Sequence, residues 1–266
     1  MQQLPLLHAI AQVSVLGALY KWGIERFMDK DLDVRVQHGI AACCKAVMIQ
    51  HAQVANYALS ERLGAQGLFK YNQLSNFYSK MRGVSIAEGD ILGLSMYTLA
   101  QTYKLPLSTH PDGPLAMHEI SLFDEATETV SSSSDFTQAF MQYVQLRCQL
   151  MVESMGHCMA YDATVDQGVS QCLVDLYLIN AIKTDAVWYV ERGMFTRKAI
   201  VHMEDVALTA ALPRLDKLLA AMEVEPYVSS PIISDKCWEE FTEMLPVYSS
   251  PQVEVPAQLT LVLEQA

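Results

Sequence analysis

Positive charge is scarce in this sequence of 266 residues. Its 18 lysines and arginines are outnumbered by 30 aspartates and glutamates, which gives a formal net charge of -12 at pH 7. A surface that binds nucleic acid or an anionic membrane needs many basic side chains to neutralise phosphates. The composition therefore argues against both kinds of partner, while an apolar content of 51% is enough to form a sizeable buried core.

Cysteine and histidine are present, but the spacings that would make them reactive or metal-binding are missing. The six cysteines form no CxxC pair, and Cys43 and Cys44 lie within a predicted helix, away from any helix start that would activate a thiolate. The histidines form no HExxH motif. We therefore predict reduced cysteines, a cytoplasmic location and no metal site.

The sequence also lacks the features of a signal peptide or a membrane span. Its most apolar run, residues 4–20, has no basic residue before it and includes Pro5, His8, Gln12 and Ser14. Signal peptides begin with positive charge, and membrane spans are longer and more uniformly apolar. This run therefore predicts a buried helix that needs cover on more than one side, and no membrane span is expected.

Helical periodicity dominates what the sequence does contain. Apolar residues recur at three-four spacing, which predicts helices over 5–28, 34–63, 90–103, 135–159, 169–192 and 235–244. Pro213 either begins a separate helix to Met222 or kinks a longer one. The stretch between Leu105 and Asp135, rich in proline and serine, predicts a long loop or domain boundary. Residues 253–263 have no second strand to pair with and predict an extended arm.

Two irregular turns interrupt this pattern, and we expect them to face each other. The first turn consists of Gly64, Ala65, Gln66 and Gly67, and its glycines permit a positive φ or close backbone approach. The second turn places Glu88 and Gly89 before Asp90, which is a good N-cap for the next helix. The two turns together would suit a cofactor site.

The order of these motifs resembles the C-terminal helical domain of the acyl-CoA dehydrogenase and oxidase superfamily. The resemblance rests on ERLGAQG at residues 61–67, IAEGD at residues 86–90 and a following helix that contains Gln101. A second match, over 172–195 and 218–232, resembles the extra C-terminal helical domain of acyl-CoA oxidases. The resemblance implies an all-α chain with an incomplete four-helix bundle at 1–105, a linker at 106–134, and a second helical domain with an irregular tail at 135–266.

The resemblance also implies a role for each turn. Glu88 matches the family's catalytic base, which removes the α-proton of an acyl thioester while the β-hydride passes to FAD. Such a base needs an apolar pocket, where desolvation raises the pKa of its carboxyl group. Gly89 would let the flavin approach. The positions that match FAD contacts, partly across a subunit interface, are Asp90, Gly64, Ala65, Gln66 and Gly67.

Parts of the family's architecture have no counterpart in this sequence. The N-terminal helical domain, the central β-domain and the first bundle helix are all unmatched, so we expect a separate flavin-binding chain and a hetero-oligomer built on dimers, with FAD shared between chains. The expected reaction introduces an α,β double bond into an acyl-CoA or acyl-carrier-protein substrate. Either oxygen or an electron-transfer flavoprotein would then reoxidise the flavin.

The two turns also depart from the usual pattern of the family. Ala65, Gln66 and Leu68 replace a glycine, a histidine and an aromatic residue, and Ile91 replaces an asparagine. These departures favour an alternative to catalysis. In that alternative the chain is a non-catalytic helical scaffold or dimerisation subunit of such a complex.

Overall fold

The computed structural model describes residues 3–102 and 113–247, and every regular element within these ranges is helical. The described residues up to Val228 form one compact unit, and those from Ser229 form a second. The α-helices, in chain order, are α1 (Leu4–Met28), α2 (Val34–Arg62), α3 (Leu74–Ile86), α4 (Ile91–Thr102), α5 (Pro114–Ser132), α6 (Phe136–Ala139), α7 (Gln145–Gln167), α8 (Gln171–Thr184), α9 (Ala186–Glu191), α10 (Arg197–Ala211), α11 (Leu215–Ala220) and α12 (Asp235–Glu243).

The helix ends follow the capping residues that the sequence offers. Asp33 begins α2 by accepting a hydrogen bond from the N–H of Arg35 at 2.8 Å, and Thr196 begins α10 by accepting from Ala199 at 3.1 Å. Gly193, just after α9, has a φ of 68°, which glycine adopts more readily than other residues. The predicted bounds of α1, α2, α4 and α12 are confirmed to within one or two residues.

Helix α5 corrects the predicted linker at 106–134. Pro114–Ser132 is a regular helix, although the surrounding prolines and serines predicted a loop. Proline is tolerated at the first helical position because its missing N–H would have no partner there. Leu115, Leu122 and Val130 follow at helical spacing and are buried, and this burial holds the helix in place. The arm predicted at 253–263 lies outside the described residues.

Two further helices differ from the prediction. α3 occupies 13 residues that the periodicity did not mark as helical, and none of its side chains is buried. The helix predicted at 169–192 is divided at Asp185 into α8 and α9. The Asp185 carboxylate accepts hydrogen bonds from the backbone of Trp188 and from His118, so it caps a new helix rather than continuing the old one. Pro213 lies in a 3₁₀ turn that precedes the separate helix α11.

The core is built around α7, which is buried on nearly all sides. Cys148, Met151 and Met155 recur at helical spacing along α7 and are each at most 4% exposed, whereas Phe136, at the start of the helix predicted at 135–159, is 63% exposed. Burying a side chain of this size stabilises the fold by about 1.5–3 kcal/mol. α7 packs against five other helices, α1, α2, α4, α5 and α8.

Two hydrophobic clusters form this core, and they share helices. One lies around α2 and α7, the other around α8 and α10, and both include residues of α1, α5 and α7. The packed core therefore includes α5, which lies within the predicted linker at 106–134. α1 is the one helix in the described part of the chain that is long and apolar enough to cross a membrane, and 44% of its most apolar window is buried.

Candidate functional site

Glu88 lies in the turn between α3 and α4, in an unusual backbone conformation. α3 ends where the N–H of Ala87 donates to the carbonyl of Gly83 at 2.9 Å. Glu88 then has a φ of 59° and Gly89 a φ of 104°. The position after a helix end is commonly glycine, because a left-handed conformation costs other residues about 1–2 kcal/mol. A glutamate here is therefore strained, and strain of this kind often accompanies function.

Asp90 caps α4, as the sequence predicted. Its carboxylate accepts a hydrogen bond from the N–H of Gly93 at 2.9 Å, and its carbonyl accepts from Leu94 at 2.9 Å. The positive end of the α4 dipole therefore already faces a carboxylate. This arrangement fixes the backbone immediately after Glu88.

Lys45 supports the other side of this turn, and sequence analysis missed it. Its ammonium group donates to the carbonyl of Gly89 at 2.7 Å and to the carbonyl of Ala87. A hydrogen bond from a charged donor contributes about 1.5–3 kcal/mol, enough to offset the strain at Glu88. No local pattern could reveal the contact, because Lys45 lies 42 and 44 residues before its partners.

The two glycines of the first turn have different local causes, backbone conformation at Gly64 and close packing at Gly67. Gly64 has a φ of 57° directly after α2. A β-carbon at Gly67 would lie 2.5 Å from the carbonyl oxygen of Ser60, so the predicted close approach is present and involves the chain's own backbone. The side-chain oxygen and the backbone carbonyl of Gln66 both accept hydrogen bonds from Asn72, at 2.8 and 3.0 Å. These residues therefore form a closely packed, hydrogen-bonded turn.

The expectation that the two turns face each other was wrong. They lie at opposite ends of α3, whose 13 residues span about 20 Å at 1.5 Å per residue. The position of the two turns along α2 leads to the same conclusion. Lys45, in the first half of α2, contacts the Glu88 turn, whereas Gly64 lies just beyond the C-terminal end of this helix. Glu88 and the first turn therefore cannot share one compact site within this chain.

Glu88 is exposed, and the residues that the structure describes do not surround its side chain with apolar atoms. Ile86 and Leu92 are nearby in sequence and are 66% and 50% exposed. The apolar pocket expected for a base is therefore not formed by the described residues. Ile86 and Leu92 leave exposed apolar surface beside the Glu88 turn.

The candidate residues fit FAD only in part. A helix N-terminus is a good site for a pyrophosphate, but the Asp90 carboxylate already occupies the start of α4. The side-chain oxygen of Gln66 is already bonded to Asn72. Exposed backbone remains at Gly64 and Ala65 and around Glu88. These positions fit edge contacts with a flavin nucleotide rather than a complete phosphate site.

Several histidine and cysteine side chains lie in the core, whereas His38 and His202 are exposed. His51 and His157 lie with ring centroids 5.2 Å apart, and His157 is 3.0 Å from the Tyr177 hydroxyl. Burial lowers the pKa of His51 to about 4. Burial also raises the pKa of Cys44 to about 12, so its thiol stays protonated. The described residues contain no group of three His, Cys, Asp or Glu side chains that could hold a metal ion.

A groove between α1 and α2 leaves part of the predicted core helix uncovered. It has a volume of about 400 Å³ and apolar walls that include Tyr20, Ile24, Phe27 and Met48. The prediction that α1 would be covered on more than one side is confirmed by its packing against α2, α7 and α8, and the groove is a face that stays open. Apolar surface of this kind typically marks an interface.

These features define a class of protein: an all-helical chain that presents an exposed glutamate in a braced turn. The chain matches no known family profile and no curated protein in sequence. In three dimensions it matches Arabidopsis thaliana acyl-CoA oxidase 1, with a TM-score of 0.78 and 13% identity, over 100% of this chain and 50% of that chain. Caenorhabditis elegans acyl-CoA oxidase-1, solved with FAD and ATP, gives 0.78 and 12% identity, over 100% of this chain and 49% of that chain.

A third match shows the same coverage. Yarrowia lipolytica acyl-CoA oxidase 1 gives a TM-score of 0.72 and 13% identity, over 100% of this chain and 50% of that chain. The chain therefore has the fold of the helical part of acyl-CoA oxidases, and the predicted all-α class is confirmed. It spans about half the length of the structures that it matches. At such low identity the similarity concerns the fold, and the role of Glu88 stays a prediction.

Proposed function

We propose that this chain is one subunit of a split, flavin-dependent acyl-thioester oxidase or dehydrogenase. The observation that carries the proposal is the position of Glu88: in a chain with the acyl-CoA oxidase fold, it stands exposed in a strained turn that Lys45 and Asp90 hold in place. The substrate would be an acyl group carried by CoA or by a carrier protein. The product would be the trans-2-enoyl thioester.

Glu88 would act as the base of this reaction. Its carboxylate would take the proton from the α-carbon as the hydride leaves the β-carbon, and the electron pair of the α C–H bond would form the new double bond. When bound, FAD supplies the hydride acceptor. The exposed backbone at Gly89 would leave room for the flavin, and Asp90 would hold the turn.

The other half of the site would come from a partner chain. The matched oxidases are about twice as long as this chain, and we propose that a separate polypeptide carries the N-terminal and β-domains and binds most of the FAD. Because α3 separates Glu88 from Gly64, Ala65, Gln66 and Gly67, that first turn would contact a second FAD in an assembly built on dimers.

Co-expression with a chain that carries only those flavin-binding domains tests the proposal. The expected complex is yellow, and its flavin absorbance is lost when octanoyl-CoA is added without oxygen. Glu88→Gln should bind FAD equally well but reduce it at least about 100-fold more slowly, because the amide cannot accept the proton. Full activity of Glu88→Gln would exclude the proposed mechanism.

The groove between α1 and α2 is the surface that we assign to this partner. Ile24→Asp places a charge in the groove and should prevent co-purification of the flavin-binding chain. Val187→Asp on α9, where Val187 is 66% exposed, is the control and should leave the complex intact. If Ile24→Asp instead turned a dimer of this chain into a monomer by light scattering, the occupant would be a second copy.

The alternative is a non-catalytic scaffold of the same complex. The side chains of Gln66 and Asp90 favour it, because each already serves its own turn. A scaffold would give a yellow complex in which no acyl-CoA bleaches the flavin. Bleaching by wild-type complex would rule this alternative out.

A further inference from the structure

Lys45 makes an unusual pair of contacts for a lysine in the middle of a helix. It follows Cys44 and precedes Ala46 and Val47, which are at most 1% exposed, so its backbone is anchored in the core. Its ammonium group donates to the carbonyls on either side of Glu88, at 2.7 Å for Gly89. The lysine is thus bonded to the backbone of a distant turn.

Building on the proposed function, we propose that Lys45 is a positioning residue for Glu88. The Ala87 carbonyl belongs to the peptide unit directly before Glu88, and the Gly89 carbonyl belongs to the unit that follows Gly89, so the two hydrogen bonds restrict the backbone on both sides of Glu88. The Asp90 cap fixes the next backbone unit, through its bond to Gly93 at 2.9 Å. The Glu88 backbone is therefore tied to α2 and α4, and its carboxylate projects from a fixed point.

A positioning role differs from simple helix capping in what its loss would change. The last carbonyls of a helix need donors, and a lysine that only supplied one would affect stability. A residue that orients a base affects the chemical step, since a displacement of about 1 Å can lower turnover about 100-fold. Substrate binding would be little affected, because Lys45 contacts backbone and not substrate.

The test compares Lys45→Met with Lys45→Arg in the complex with the flavin-binding chain. Lys45→Met keeps most of the side-chain volume but removes the donor, so kcat for octanoyl-CoA should fall about 100-fold with little change in KM. Lys45→Arg keeps the charge and several donors and should recover most of kcat. Hydrogen exchange at the amides of residues 87–90 should become at least about tenfold faster in Lys45→Met but not in Lys45→Arg.

Lys80→Met is the matched control. Lys80 is exposed on α3, the helix next to α2, and its substitution by methionine removes the same charge as Lys45→Met does. It should leave kcat and exchange unchanged. The proposal is overturned if Lys45→Met keeps wild-type kcat or wild-type exchange in the turn. Failure of the proposed function would look different: Glu88→Gln would then be active, and exchange would still decide whether Lys45 holds the turn.

Discussion

Glu88 is the residue at which local stability and the proposed chemistry conflict. Glycine would fit its φ of 59° with less strain. Another glutamate, Glu223, has a φ of 51° and is also exposed, but it lies far along the chain in the turn after α11. The two residues share type, exposure and backbone conformation. They therefore allow a comparison in which only the proposed role differs.

We predict that Glu88→Gly stabilises the chain by about 1 kcal/mol, because it removes the left-handed strain. Glu223→Gly should stabilise it by a similar amount, and urea unfolding at pH 7 measures both. Only Glu88→Gly should abolish flavin reduction by octanoyl-CoA in the complex. A Glu88→Gly complex with normal activity would show that the carboxylate is dispensable.

The helices show how far sequence reasoning reaches and where it stops. The ends of α2 and α10 were predictable because Asp33 and Thr196 cap them through bonds within three residues. α5 was not, since Pro114 also begins loops, and only burial against distant helices distinguishes the two cases. The Glu88 turn was predictable as a motif. Its Lys45 support was not, because that contact depends on how α2 and α3 pack together.

Packing between α2 and α7 leads to a prediction about Gly156. A β-carbon at this position would lie 2.3 Å from Val47 Cγ2 and 2.9 Å from the carbonyl oxygen of Cys43. Gly156→Ala should therefore force the helices apart and cost about 1–3 kcal/mol. Urea unfolding measures the loss.

Gly83→Ala on α3 is the matched control for that prediction. A β-carbon at Gly83 would meet no atom within 4 Å, so the helix preference of alanine should stabilise the chain by up to about 1 kcal/mol. Equal effects of the two substitutions would mean that α2 and α7 do not pack as closely as the structure has them.

The stability of the whole molecule depends on histidines that must stay neutral. His51 and His157 are at most 5% exposed, and neither Nε2 atom has a hydrogen-bond partner among the described residues. Their neighbours on α7 and α8 include the Tyr177 hydroxyl, which carries no charge because burial raises its pKa well above the usual value. Within the described ranges, no carboxylate is hydrogen-bonded to either ring, so none stabilises a positive charge there.

These histidines should make the fold sensitive to acid. The pKa of His51 is about 4 in the folded chain and about 6.5 when unfolded, so only the unfolded chain gains a proton as the pH falls from 6.5 towards 4. The contribution of neutral His51 is thus complete above pH 6.5 and is lost over that interval. Between pH 7 and pH 5 the loss is about 2 kcal/mol. Glu153 acts in the opposite direction, because burial raises its pKa.

We therefore predict that His51→Phe reduces the difference in unfolding free energy between pH 7 and pH 5 by about 2 kcal/mol. Comparing each protein with itself at two pH values separates this effect from any change in packing, and it leaves the contribution of Glu153 unchanged. His38→Phe is the control, because His38 is exposed on the same helix. If urea unfolding gave His51→Phe the same pH dependence as the wild type, His51 would titrate normally and could not be buried as a neutral ring between α7 and α8.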